Sequence, residues 1–241
     1  MTPERRFGRP RRHYRVTDST NDRIRELALA GAPSGTVVTA AEQTAGRGRA
    51  GRRWSAPPGT ALLLTALLRP LDRRHALLPL AVPLAVCEAI ESVAPVRCDL
   101  KWPNDVWIGE EKVAGVLIEA RPPDWAAIGV GVNVAVPADA FDAGLRWPAR
   151  SIGAGVGVEA TLAALCAGLD RWVEAPADDV LAGFRDRDAL RGRALRWEGA
   201  GGAAGAGRGV ADGVDERGNL LVRDEGGELV ALGAGEVQLV L

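Results

Sequence analysis

Residues 96–136 carry four β-rich runs, 96–100, 106–108, 113–120 and 126–136, divided by Pro, Gly and Asp turn signals. Strands this close together in sequence must pair with one another. A further apolar run at 60–68 reads as a buried strand, and 35–41 as another. Helical patterns lie on both sides of this block. Ser19-Thr20-Asn21-Asp22 precedes Ile24, Leu27 and Ala28 at helical spacing, with Gly31 and Pro33 as stop signals. Residues 75–93, 159–174 and 177–190 read as longer helices, the first with Pro79 in its first turn and Pro83 as a kink. Adjacent strands with helices elsewhere predict an α+β fold built on one sheet.

After Gly192 the pattern changes to short strands at 193–197, 208–214, 219–222 and 229–232, with turns at Arg217-Gly218-Asn219 and Gly226-Gly227. We expect a poorly ordered, basic arm over 1–15, a main domain over 16–190 and a small β-barrel module over 191–241. Residues 199–209, almost all Gly and Ala, read as a floppy hairpin loop.

The composition is that of a folded globular chain, with 47% hydrophobic and 25% charged residues over 241 positions. No apolar run approaches the roughly 20 residues of a membrane span. The basic N-terminus lacks the apolar stretch and cleavage site of a signal peptide. Three scattered cysteines, Cys87, Cys98 and Cys166, suggest neither a disulfide framework nor a zinc site, which fits a reducing cytoplasm. A net charge of -1 gives no global pull toward nucleic acid, so any basic cluster must be judged locally.

Only two of the 30 basic residues are lysine, Lys101 and Lys112; the other 28 are arginine. Asn and Gln are equally scarce, and Asn21, Gln43, Asn104 and Asn133 all fall inside motifs. A residue type that the composition avoids marks a chemical requirement where it persists. Gly46 to Trp54 places Arg47, Arg49, Arg52 and Arg53 among glycines, which suits a phosphate or carboxylate, with Trp54 as a stacking face. Alone, such a loop reads first as a solvated basic loop or a nucleic-acid contact. Lys101-Trp102-Pro103-Asn104-Asp105 reads as strand and tight turn, and Lys112 enters the following strand.

These segments together resemble the biotin protein ligases. K-W-P-N-D followed seven residues after the Asp by Lys, and then Ala114-Gly115, is that family's signature, and G-R-G-R-x-G-R-x-W from Gly46 to Trp54 is its other hallmark. Asp18-Ser19-Thr20-Asn21, Glu42-Gln43-Thr44 and Gly129-Val130-Gly131-Val132-Asn133 follow the family order. The resemblance implies a mixed-sheet catalytic domain and a C-terminal SH3-like barrel. It assigns Ser19, Thr20, Asn21, Gln43, Gly46, Arg47 and Gly115 to biotin, and Arg49 and Lys112 to both the biotin carboxylate and the α-phosphate. Arg52 and Asn133 would lie near phosphate, and Trp54 against adenine. Ser19 and Thr20 can equally cap the helix, and Gly115 can equally permit close strand packing. Asp105 is open between binding Mg²⁺, orienting the incoming lysine and completing the turn.

The resemblance further implies biotin-dependent consumption of ATP with Mg²⁺, formation of biotinyl-5′-AMP, and transfer of biotin to a lysine of a biotin carboxyl carrier domain. Lys112, Arg49 and Asp105 would carry the chemistry. A lipoate- or octanoate-protein ligase on a similar fold is the nearest rival. The stretch before Asp18 is too short for a helix-turn-helix, so no DNA partner is expected, nor a membrane partner. A monomer or weak homodimer is expected.

Overall fold

The structure, a computed structural model, describes residues 6–145, 147–198, 205–233 and 236–239. A seven-stranded mixed sheet forms from β1 (Arg11–Thr17), β2 (Val37–Gln43), β3 (Ala61–Leu68), β4 (Asp99–Lys101), β5 (Asp105–Ile108), β6 (Glu111–Arg121) and β7 (Trp125–Asn133). Its order is β1-β2-β3-β7-β6-β5-β4, with only the β1–β2 pair parallel. Among the described residues four α-helices join it: α1 (Thr20–Leu29), α2 (Leu78–Val93), α3 (Val158–Trp172) and α4 (Ala177–Asp186).

The sheet is covered on both faces, which explains why β3 is apolar at nearly every position instead of alternating. On one face α2 packs over β4, β5 and β6 and α3 packs beside it over β3, and the cluster they form takes in Leu62, Leu64, Val116, Ile128 and Val130. On the other, Ile24 and Ala28 of α1 pack on Val38, Leu67 and Ala127. The stretch Arg73–Val93 is apolar and long enough by composition to cross a membrane, but most of it is buried in this core. Pro83 lies inside α2 without ending it.

A second, all-antiparallel sheet contains β8 (Ala194–Glu198), β9 (Gly207–Val214), β10 (Leu220–Asp224), β11 (Leu229–Leu232) and β12 (Glu236–Leu239), in the order β11-β10-β9-β8-β12. This topology is in keeping with an SH3-like module. Its buried Leu195, Trp197, Val214 and Leu220 belong to the same apolar cluster as α2, so the two sheets share one core. Gly218 at the β9–β10 turn sits against Leu77 and Leu80, and its carbonyl accepts the Trp102 indole N–H at 3.0 Å.

Three sequence expectations require correction. Residues 6–15 are not a loose arm: Phe7 is 2% exposed, the Arg6 and Phe7 N–H groups donate to Asp170, and β1 pairs with β2 from Arg11 onward. Its polar pattern is that of an edge strand, whose side chains face mostly solvent. Residues 1–5 of that arm lie outside the described residues. The helix expected over 177–190 stops at Asp186, because Leu100 takes the backbone of Arg187 and Ala189 as strand-like partners. Of the Gly/Ala loop expected over 199–209, residues 199–204 are outside the described set. Gly207 to Gly209 belong to β9, where a Cβ at Gly207 would strike the Trp197 ring.

Candidate active site

The site lies on the α1 face of the sheet, over β7, β6 and β5. The pairing of β5 with β6 slips at a bulge, with Val106 opposite Ala114 but Trp107 opposite Lys112. Strict alternation would place Lys112 and Gly115 on opposite faces; the extra residue, Val113, turns Lys112 onto the face of Asp105 and Gly115. Lys112 Nζ then stands 2.6 Å from Asp105 Oδ1, with the Asp105 side chain 8% exposed. That oxygen takes no aligned hydrogen bond, so the contact is one of charge. Gly115 packs closely here: a Cβ on it would lie 3.2 Å from Lys112 Nζ and 3.1 Å from the Trp54 ring, so both side chains would have to give by a few tenths of an ångström.

The backbone of Lys112 is pinned from outside the sheet. Its N–H donates to Pro148 O at 2.8 Å, and Arg150 N donates back to its carbonyl at 3.0 Å. The same segment accepts Asn133 Nδ2 at Arg150 O, 3.2 Å, while Ile152 N donates to Asn133 O. Lys112 and Asn133 are therefore held by one short run of chain. Asn104 ties the K-W-P-N-D turn to β6 through Nδ2 to Val116 O and through the Val116 N–H.

At the opposite end, Gln43 Oε1 accepts both the backbone N–H and the hydroxyl of Thr20, at 2.7 and 3.0 Å. The Thr65 hydroxyl lies 2.8 Å from Thr20 Oγ1 and 2.7 Å from Asn21 Oδ1. Having a single proton, it donates to only one of them at a time. Ser19 occupies the helix N-cap position but makes no side-chain cap hydrogen bond. Asp18 braces the turn instead: the Ser19 N–H, helped by Thr17 and Arg23, holds its carboxyl below the usual range.

Gly46 to Trp54 forms a tight loop closed by Gly48 N to Arg52 O at 2.7 Å and Trp54 N to Gly46 O at 3.0 Å. A Cβ at Gly46 would sit 2.4 Å from Trp54 O, so glycine is required for that closure. Trp54 lies on the sheet over Gly131, where a Cβ would come within 2.4 Å of its ring, and Lys112 Nζ is 5.6 Å from its ring centroid. Its indole N–H is buried without a partner.

The loop and sheet enclose a cavity of about 900 Å³, within the usual range for a small-molecule site. Ser19, Thr20, Asn21, Gln43, Arg47, Arg49, Arg52, Trp54, Asp105, Lys112, Gly115 and Asn133 all line it, and Gly46 lines the cavity behind the loop. The fold thus gathers side chains from positions 19 to 133 in one place. Acids, amides and a lysine at one end, polar donors and acceptors at the other and arginines along the rim can hold an extended anion beside a second one.

The sequence profile of the Biotin/lipoate A/B protein ligase family matches residues 13–133, and that of the Biotin protein ligase C terminal domain matches 204–240. The biotin--[acetyl-CoA-carboxylase] ligase of Mycobacterium tuberculosis is 35% identical over 236 residues, covering 92% of this chain and 85% of that one. The corresponding Paracoccus denitrificans protein is 35% identical over 232 residues, covering 89% and 94%. This chain belongs to the biotin protein ligase family. A solved family member, the Aquifex aeolicus biotin protein ligase in complex with biotin and ATP, superposes with a TM-score of 0.78 at 28% identity, over 95% of this chain and 98% of that one. The bifunctional ligase/repressor of Bacillus spizizenii is 38% identical over 144 residues, a match that spans only 44% of its length.

Several residues that shape this ligase-family site escaped the sequence reading. Thr65 is the one polar residue inside β3, and that interruption was a usable signal. Gly129 and Gly131 were noted in a motif but not as a floor. Asp22, Glu119 and the 137–150 segment, whose Phe141 and Trp147 line the cavity, left no local mark.

Proposed function

We propose that the chain activates biotin with ATP to biotinyl-5′-AMP and then transfers biotin to a lysine of a biotin carboxyl carrier domain. The observation that carries this reading is the Lys112–Asp105 pair at 2.6 Å, set by the β5–β6 bulge at the base of the cavity. Family membership and the Aquifex complex with biotin and ATP support it. Thr20, Gln43 and Asn21 would meet the polar ring end of biotin, with Ser19, Gly46, Arg47 and Gly115 shaping the walls. Arg49 and Lys112 would receive the carboxylate and the α-phosphate, Arg52 and Asn133 the remaining phosphates, and Trp54 the adenine.

In the first step a biotin carboxylate oxygen attacks the α-phosphorus and pyrophosphate leaves. Two anions must approach each other, and preorganised positive charge from Lys112 and the loop arginines offsets their repulsion. In the second step the neutral ε-amine of the acceptor attacks the acyl carbon of the mixed anhydride, AMP leaves, and the amine gives up a proton. Asp105 would orient Lys112 and the approaching amine.

Mg²⁺ belongs to this proposal as the companion of the nucleotide. Among the described residues no group of three His, Cys, Asp or Glu side chains is placed to hold a metal. Asp105 is already paired to Lys112, and Asp139 and Asp142 also line the cavity. A cation there would be held chiefly by the ATP phosphates, the usual habit of Mg²⁺, and would neutralise phosphate charge. The three cysteines carry free, buried thiols, which supports a reducing cytoplasmic setting.

The test is pyrophosphate release from ATP. Release that depends on biotin and not on lipoate supports the reading; release with lipoate alone transfers it to the lipoate branch, and no release with either acid overturns it.

A further inference from the structure

Asp22 and Glu119 stand at the edge of the candidate site and both reach the loop, Glu119 lining the same cavity as Gly46. A single guanidinium nitrogen of Arg47 lies 2.9 Å from Asp22 Oδ1 and 3.0 Å from Glu119 Oε2. Arg25 shares these carboxylates, at 2.9 Å from Asp22 and 3.6 Å from Glu119. The same Glu119 oxygen accepts Asn21 Nδ2 at 2.7 Å, so it joins the loop to the start of α1. That contact fixes the Asn21 amide with its oxygen toward Thr65, at 2.7 Å, and so connects it to Thr20 and Gln43. Gly129 makes the arrangement possible, since a Cβ there would sit 2.3 Å from Asn21 Oδ1.

From this geometry we infer that Asp22 and Glu119 are positioning residues for biotin: they clamp Arg47, and through it hold the Gly46–Arg53 loop over the cavity. The inference rests on the function proposed above. The Arg47 side chain is 36% exposed, and those of Asp22 and Glu119 are 30% and 31% exposed. Charges this accessible attract weakly and are screened by salt, which suits a clamp that must open for ligand entry. Arg47 is held along one edge only, because its Nε–H is buried without a partner. The role expected for Arg47 as a biotin residue is thereby refined: its side chain governs the loop, while its guanidinium is engaged by carboxylates.

Calorimetric biotin binding separates this clamp from a general loss of fold. Glu119→Gln and Arg47→Ala should each weaken biotin about tenfold, because misplacing a positioning loop by a fraction of an ångström has effects of this order. The double variant should be no weaker than Arg47→Ala alone, since the two act through one contact. Asp22→Asn should give a smaller change in the same direction, and the wild-type advantage should shrink at high salt. The ATP KM of Glu119→Gln should rise along with the biotin Kd, because the same loop carries Arg49 and Arg52, while its thermal midpoint stays that of the wild type, a split that a fold defect would not produce. Losses that add in the double variant, or a Glu119→Gln chain that binds biotin as the wild type does, overturn the clamp. Wild-type chain that binds no biotin overturns the proposed function and this inference with it.

Discussion

Lys112 shows how a single side chain depends on its neighbours at this site. Its ammonium reaches Asp105 only because a bulge turns it to that face and Gly115 leaves room for it. Lys112→Ala should therefore lower biotin-dependent pyrophosphate release by roughly 100- to 1000-fold, the usual loss when one preorganised donor is removed. Lys112→Arg should rescue poorly, because a planar fork cannot replace a compact ammonium in a space bounded by Gly115 and Trp54. Near-normal release by either variant would remove Lys112 from the chemistry.

At the level of elements, the Gly/Arg loop and the α2–α4 junction make opposite demands. The loop carries four arginines and has to open for substrate, so trypsin should cut it readily in the free chain and slowly once biotin and ATP are both present. Unchanged cleavage would contradict closure over the intermediate. At the junction, Glu91 on α2 accepts the Cys98 N–H at 2.8 Å and an Arg187 N–H at 2.9 Å, fastening the helix to the start of β4. Burial opposes ionisation of Glu91, but the Arg187 guanidinium and the Cys98 amide outweigh it and hold the carboxyl below its usual range. A carboxyl lowered on folding contributes stability above the unfolded-state pKa and loses it as the pH falls through the folded value. Glu91→Gln should thus cost about 2 kcal/mol in urea unfolding at neutral pH. The difference from wild type should vanish at a pH below the folded value.

Across the whole molecule, one apolar cluster runs from the seven-stranded sheet through α2 into the second sheet, with Trp102 and Gly218 joined across the boundary. Trp102 directly precedes the Pro103-Asn104-Asp105 turn, so the C-terminal module braces the segment that carries Asp105. A shared core predicts a single cooperative thermal transition, with calorimetric and van't Hoff enthalpies in agreement. Two resolved transitions would mean that the sheets fold independently.

The amino-acid sequence by itself determined most of the segments that become strands and helices, and singled out most of the residues that line the cavity. Turn residues, apolar runs and rare lysine and amide side chains are local signals, and each leaves its mark in the chain. Ser19 to Asn21, Gln43 to Trp54, Asp105 and Lys112 to Gly115 were legible for that reason. The face on which Lys112 stands, the floor made by Gly129 and Gly131, and the Asp22–Arg47–Glu119 clamp were decided only in three dimensions. The physical reason is the same in each case: a strand register, the space a missing Cβ leaves and an ion pair across 72 residues are properties of two segments at once. Residues 6–15 make the same point, because an edge strand and a loose polar arm have the same composition until a partner strand is present.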